Sequence, residues 1–254
     1  MPAVVTLKSA REIDRMRASG RIVAQVLEAM AEAVRPGIST AELDELAESI
    51  IASHAGARPA FKGYGGFPAS ICASVNEEVV HGIPSRNRRL VEGDIIGIDV
   101  GVLMEGYHAD AARTFAVGHV SEGARNLLRA TQAALEAGIE VARPGGHLGD
   151  ISNAIQRVAE KAGFSVVRDL VGHGIGQHLH EDPQVPNFGT AGRGLTLEPG
   201  LVIAIEPMVN HGSCTVRTLE DAWTIVTEDG ALSAHFEHTV AITAEGPEIL
   251  TRAA

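Results

Sequence analysis

The chain carries only two cysteines, Cys72 and Cys214, which is too few for the disulfide framework of a small secreted protein and points to a reducing cytoplasm. It has no N-terminal apolar stretch long enough for a signal peptide or a membrane span. It also lacks a Pro/Ser-rich linker or low-complexity run, so its 254 residues read as a single domain, 1–254. Positive charge is scarce. A formal net charge of -11 sets most faces against a phosphate backbone and argues against a nucleic-acid partner. The basic cluster Arg86, Arg88 and Arg89 reads as a solvated loop. A hydrophobic content of 45% is enough for a sizeable core.

What the chain does have is a pattern written twice. Arg-Pro-Gly at 35–37 recurs at 143–145, each followed by a helical stretch (40–55 and 147–162) and then a Gly-rich segment, GYGGFP at 63–68 and GHGIG at 172–176. GDIIGIDVG at 93–101 matches GLVIAIEPM at 200–208 and sets Asp99 against Glu206. The offsets, 108 residues from 35 to 143 and 107 from 99 to 206, far exceed solenoid periods. They predict two similar half-domains, about 35–120 and 143–250, related by an approximate two-fold axis, with ligands from both meeting at the seam.

Local signals fill in the elements. Ser9 to Glu12 is a capping-box pattern, and apolar residues recur at helical spacing from Ile13 to Val34, predicting a helix over about 10–34. A second box at Ser39 to Glu42 opens the helix at 40–55, and 122–137 also fits a helix. Strands are predicted at 94–104, 107–117, 165–171, 201–206, 222–227 and 233–242. The fold class is α+β, a curved antiparallel sheet with helices on its outer face and the chemistry on its inner one.

The chemistry rests on five side chains in five motifs: Asp99 in IDVG, Asp110 in HADAA, His173 in GHGIG, Glu206 in IEPM and Glu237 in FEHT. Four carboxylates with one imidazole form a hard, oxygen-rich donor set that suits two adjacent divalent cations better than one tetrahedral zinc. Two such cations about 3.5–4 Å apart repel, so carboxylates must bridge and neutralise them, and the pair then activates water against a carbonyl. This predicts metal-assisted hydrolysis of a peptide or ester bond. The register can be counted for the first two ligands. A two-residue turn at Glu105-Gly106 sets Met104 opposite Tyr107, Asp110 opposite Gly101 and Asp99 opposite Ala112. Both carboxylates then share one face as diagonal neighbours, about 7 Å apart at the backbone. Taken singly, each aspartate reads equally well as a strand-end or turn residue; the shared face favours the pair.

The motifs NEEVVHGIP, IDVG, HAD, GHGIG, HEDP, IEPMV and FEHT, in this order over nearly the whole chain, resemble the type I methionine aminopeptidases of the pita-bread fold. That resemblance implies removal of the initiator methionine from nascent proteins and peptides with a small second residue. It implies two divalent metal ions per chain, Co, Mn, Fe or Zn, with Asp99 a ligand of one, Asp110 and Glu237 bridging, and His173 and Glu206 ligands of the other. Glu206 resembles the family's proton shuttle, His81 the histidine near the scissile amide, and His180 the one that binds the substrate carbonyl and the tetrahedral intermediate. Tyr64, Phe67, Cys72 and Trp223, with His81, resemble the methionine pocket. A monovalent cation near the carbonyls of Asn76, Glu78 and Ser233 is implied as well. So are nascent N-termini as partners, transient ribosome contact, a monomer, no membrane contact and a cytoplasmic location. His178, His235 and His238 match no role and read as structural.

The chain departs from bacterial relatives in carrying Phe61 where some have cysteine, Gly65 where some have histidine and Leu179 where some have phenylalanine. A tight Asp229-Gly230 hairpin would turn Trp223 away from Glu237, so a longer or bulged turn is expected if Trp223 lines the pocket. Two other functions share the pattern. An Xaa-Pro aminopeptidase or prolidase resembles this fold and ligand set but usually has an additional N-terminal domain, whereas the residues preceding Asp99 are taken up by the first half-domain. A non-catalytic pita-bread binding protein is the other, and five intact ligands weigh against it. Only 32 residues lie between His173 and Glu206, too few for the helical insertion of the type II enzymes.

Overall fold

The computed structural model describes residues 5–252. In chain order the helices are α1 (Ala10–Ala33), α2 (Thr40–Ala52), α3 (Glu122–Val141) and α4 (Leu148–Lys161). The strands are β1 (Arg58–Pro59), β2 (Ile71–Val75), β3 (Glu78–Val80), β4 (Ile95–Met104), β5 (Tyr107–Ala116), β6 (Ser165–Val166), β7 (Val171–Gly174) and β8 (Glu181–Pro186), followed by β9 (Val202–Ile205), β10 (Met208–Asn210), β11 (Val216–Thr218), β12 (Ile225–Thr227), β13 (Ser233–His235), β14 (His238–Thr243) and β15 (Gly246–Ile249).

Each helix begins where its cap chemistry dictates. The Ser9 N–H donates to the Glu12 carboxylate at 2.7 Å, and the Ser39 N–H donates to that of Glu42 at 2.9 Å while Ser39 Oγ accepts from Glu42 N. Ser121 Oγ accepts from Ala124 N, and the His147 N–H donates to Asp150 at 2.7 Å. Each cap satisfies amide groups that the first helical turn leaves unpaired.

The strands form four antiparallel ladders, of which two carry most of the site. One joins β1, β2, β4 and β5; the other runs β15-β14-β9-β7-β8. Helices α1 and α2 back the first through a core that includes Val26, Leu43, Ile51, Ile96 and Ile98. Helices α3 and α4 back the second through Leu127, Ile151, Ile155, Ile203 and Val240. Burying each of these side chains stabilises the fold by roughly 1.5–3 kcal/mol. The seam between the two ladders is tied by polar contacts from β5 to β13 and β14. Thr239 Oγ1 accepts from Asp110 N at 3.0 Å and donates to Asp110 O at 2.8 Å. Thr114 Oγ1 donates to His235 O at 2.8 Å, and Glu237 N donates to Ala112 O at 2.9 Å.

Several expectations change in detail. Helix α2 stops at Ala52, short of 55, and α3 continues to Val141, past 137. The predicted strand at 165–171 is two strands, β6 paired with β10 and β7 paired with β8 and β9. The predicted strand at 233–242 breaks at Phe236–Glu237, where the Glu237 amide leaves its own ladder to bond Ala112 across the seam. The premise about Trp223 also changes: β12 pairs with β11 and β3 and not with β13, so no Asp229-Gly230 hairpin register exists to orient Trp223.

One close approach yields a test. Gly20, buried in the middle of α1, faces the carbonyl of Leu250, and a methyl group at Gly20 would run into that oxygen. Glycine to alanine inside a helix ordinarily stabilises by about 0.5–1 kcal/mol. Here Gly20→Ala is expected to destabilise by about 1–3 kcal/mol through overpacking, lowering the melting temperature by about 2–12 °C. A calorimetric scan showing an unchanged or raised midpoint would contradict this packing.

Candidate active site

The β4-β5 hairpin has the register counted from the sequence, Met104 opposite Tyr107, Gly101 opposite Asp110 and Asp99 opposite Ala112. Its turn residues Glu105 and Gly106 sit at φ 51 and 81, as a type I′ turn demands. Asp99 and Asp110 therefore reach the cavity from adjacent strands of one ladder. His173 on β7, Glu206 just after β9 and Glu237 just before β14 reach it from the other.

His173 donates from Nδ1 to the Gly174 carbonyl at 2.9 Å, which leaves a lone pair on Nε2. That Nε2 stands 3.6 Å from Asp110 Oδ2 and 3.6 Å from Glu206 Oε1. Asp110, His173 and Glu237 place one ligand atom each within 4.8 Å of one another. Asp99 Oδ1 is buried without a hydrogen-bond partner. Burial raises the pKa of Asp99, Asp110, Glu206 and Glu237, and the neighbouring carboxylates push Asp99, Glu206 and Glu237 further in the same direction. Among the described residues no lysine or arginine lines this cavity. Buried like charges with no internal cation are the arrangement that divalent metals compensate, and the orphaned Asp99 oxygen and the free His173 Nε2 fit that use.

The cavity holding these groups has a volume of about 150 Å³, and all the sequence-predicted catalytic, metal and pocket residues line it. Its far end is apolar. Phe67 meets Trp223 edge to face with ring centroids 5.1 Å apart, and His81 meets the same indole at 6.3 Å. Cys72 and Leu179 are buried in the same apolar cluster. Phe61 belongs there too, and Gly101 makes room for it: a Cβ at Gly101 would lie 2.7 Å from Phe61 Cε1. Gly65, at φ 56, lies against Trp223, where a Cβ would come within 3.3 Å of Cη2. The two glycines thus let aromatic rings close on the pocket. Outward, the site opens into a cleft of about 790 Å³ that runs past Lys8, Glu12, Tyr107 and Gln177.

His81 sits at φ 59 directly after β3. His180 follows the loop between β7 and β8, its ring centroid 4.3 Å from that of His173 and its Nδ1 2.8 Å from the Tyr64 hydroxyl. Desolvation lowers both pKa values to about 4, for His180 with further help from the adjacent His173, so both imidazoles are neutral near pH 7. Asn76 O accepts from Ser233 N at 2.9 Å, and the Glu78 carboxylate turns back to Val75 N at 2.7 Å. Asn76 and Ser233 thus adjoin.

Three contributors were invisible to motif reading. His235, read as structural, is buried with Nε2 unpartnered and 3.4 Å from Glu206 Oε2; its spacing of two from Glu237 was the available signal. Thr239 fixes Asp110 by backbone and side-chain contacts alike. Lys8, whose side chain is 2% exposed, pairs with Glu181 at 2.7 Å, and Glu181 accepts from His178 N at 3.0 Å, which braces the loop carrying His180. Of the other two histidines without a matched role, His238 bonds Thr251 Oγ1, and His178 is exposed at the wall of the outer cleft.

Residues 14–244 match the model of metallopeptidase family M24. The chain belongs to this family. Within M24 it is similar to methionine aminopeptidases over nearly its whole length. It is 57% identical over 248 residues to the methionine aminopeptidase of Clostridium perfringens, covering 98% of this chain and 99% of that one. It superposes on the crystal structure of methionine aminopeptidase from Thermotoga maritima with a TM-score of 0.96 at 46% identity, covering 98% of this chain and 100% of that one. A prolidase from Pyrococcus horikoshii shares the fold at a TM-score of 0.79 but only 23% identity, and this chain covers 64% of it. The M24 chain is therefore a metallo-aminopeptidase, and the prolidase alternative is not favoured. Among the described residues no helix is long and apolar enough to cross a membrane.

Cation binding at the carboxylate cluster is measurable without catalysis. At a hundredfold excess over Kd, a divalent ion that binds only the folded state contributes about 2.7 kcal/mol, or a rise of roughly 5–11 °C in melting temperature. Manganese or cobalt added to chelator-stripped protein is expected to give such a rise, and Asp110→Ala or Glu237→Ala to abolish it. An equal rise in the alanine variants would remove these carboxylates from the metal set.

Proposed function

We propose that this protein removes the N-terminal methionine from nascent proteins and peptides whose second residue is small, using two divalent cations. The observation that carries this reading is one cavity with two unlike ends, a cluster of buried carboxylates at one and an aromatic, thiol-containing slot at the other. In this reading Asp99, Asp110, His173, Glu206 and Glu237 would hold the cations, with Asp110 and Glu237 supplying the carboxylates that the two would share. Cobalt, manganese, iron or zinc would suit the donor set, with a monovalent ion at the carbonyls of Asn76, Glu78 and Ser233 as a further part of the proposal. Bound divalent cations supply Lewis acidity toward the scissile carbonyl and lower the pKa of water.

The chain's own residues do the rest. The methionine side chain enters between Phe67, Trp223, Tyr64 and Cys72, where soft and aromatic contacts favour a thioether, and its free amino group lies at the carboxylate end. Glu206 accepts the proton of the attacking water and returns it to the departing amine. His180 donates to the substrate carbonyl as it becomes an oxyanion, and His81 stands beside the scissile amide. The second residue must pass the rim formed by His81, Leu179 and the His180 loop, which admits small side chains only. The partners in this proposal are nascent N-termini met during transient ribosome contact, by a cytoplasmic monomer.

A peptide panel tests the assignment. Met-Gly, Met-Ala, Met-Ser and Met-Pro substrates are expected to be cleaved, while Met-Lys, Met-Leu, Met-Phe and N-acetylated peptides are slow or inert. Preference for Ala-Pro-Ala over Met-Ala-Ser, or indifference to the second side chain, overturns the reading. His180→Ala is expected to lower kcat roughly a hundredfold or more, with a smaller change in KM, by analogy with lost oxyanion donors. Unchanged turnover would return His180 to a structural role.

A further inference from the structure

The Tyr64 side chain does more than wall the pocket. It sits on the 3-10 turn Tyr64–Gly66 and is 45% exposed. Its hydroxyl lies 2.8 Å from His180 Nδ1, with the two rings tilted at 53° and their centroids 5.2 Å apart. This is the one hydrogen bond the His180 ring makes to protein among the described residues. The turn that carries Tyr64 is braced by backbone bonds, Gly63 N donating to Phe67 O at 2.8 Å, Tyr64 N to Phe61 O at 2.9 Å and Phe67 N to Tyr64 O at 2.9 Å.

A neutral imidazole has one donor nitrogen and one acceptor nitrogen, and whichever partner engages the first decides what the second offers. A phenol hydroxyl facing Nδ1 as donor makes that nitrogen the acceptor. The proton then resides on Nε2, the nitrogen left without a protein partner. The opposite tautomer would turn a lone pair toward the carbonyl oxygen of a substrate, which repels it.

We propose that Tyr64 is a positioning residue for His180, its hydroxyl holding the imidazole in the orientation and tautomer that present Nε2–H to the substrate carbonyl. The proposal rests on the reading of His180 as the carbonyl donor. It assigns Tyr64 two separable functions, a ring that bounds the methionine slot and a hydroxyl that acts through His180.

Tyr64→Phe keeps the ring and removes the hydroxyl, so the two functions part. With Met-Ala-Ser as substrate, kcat is expected to fall by about three- to thirtyfold, short of losing the donor itself, while KM stays within about twofold. In a His180→Ala background the same change is expected to alter kcat by less than about 1.5-fold, since the group it acts through is gone. Nitrogen-15 spectra of histidine-labelled protein loaded with diamagnetic zinc give a second readout. There the Nδ1 resonance of His180 is expected to move in Tyr64→Phe while that of His81 stays in place. A raised KM with unchanged kcat, or an equal loss of kcat in both backgrounds, overturns the proposal and leaves Tyr64 a pocket wall. Full turnover in His180→Ala alone would strike the role of His180 instead. In that event an unmoved His180 resonance in Tyr64→Phe would overturn the hydrogen bond as well.

Discussion

Electrostatic repulsion among four carboxylates withdrawn from water, Asp110 and Glu237 buried and Asp99 and Glu206 nearly so, is the constraint around which this molecule is arranged. Asp99 and Asp110 come from one ladder, Glu206 and Glu237 from the other, and burial raises the energy of each ionised form. A chain that brings such groups together must be held from outside the site. The seam contacts of Thr239 with Asp110, Thr114 with His235 and Glu237 with Ala112 do this, and behind them stand two apolar cores, each with its own pair of helices. Fold stability far from the site thus offsets local destabilisation within it, the usual relation between scaffold and functional centre.

The arrangement of the ladders also separates tasks. The clustered carboxylates lie where the ladders meet, so no single local segment supplies the set. The apolar slot draws on the Gly-rich turn around Tyr64, on β2 through Cys72 and on the turn before β12 through Trp223. The β7-β8 loop contributes to both ends, presenting Leu179 to the slot and His180 to the carboxylate side. Lys8 reaches that loop from the segment ahead of α1 by pairing with Glu181. The ion pair is largely buried, so losing either partner would strand a charge.

Much of this was legible in the chain because the signals were local. The hairpin from Ile95 to Ala116 could be counted residue by residue, since a two-residue turn fixes the register and the register fixes which face Asp99 and Asp110 share. Caps at Ser9 and Ser39 set helix starts for the same reason. What escaped was decided by distant partners. The run 233–242 alternates like one strand, yet it breaks at Glu237 because that amide pairs across the seam. The Asp229-Gly230 hairpin does not form because β12 takes its neighbours from β3 and β11 and not from the strand that follows it. His235 resembles any histidine in a strand until Glu206 is seen 3.4 Å away. Pattern and propensity carry no information on such choices, which tertiary packing makes.

Cys72 lies where the two ends of the cavity meet. Its thiol is buried, and its pKa is pushed well upward by that burial and by the negative charge of Asp99 and Glu237. Thiols react as thiolates, so burial, the largest cause of the upward shift, keeps this sulfur protonated and chemically quiet. The enzyme can therefore line its cavity with a soft, polarisable atom without exposing a nucleophile to alkylation or to stray oxidants.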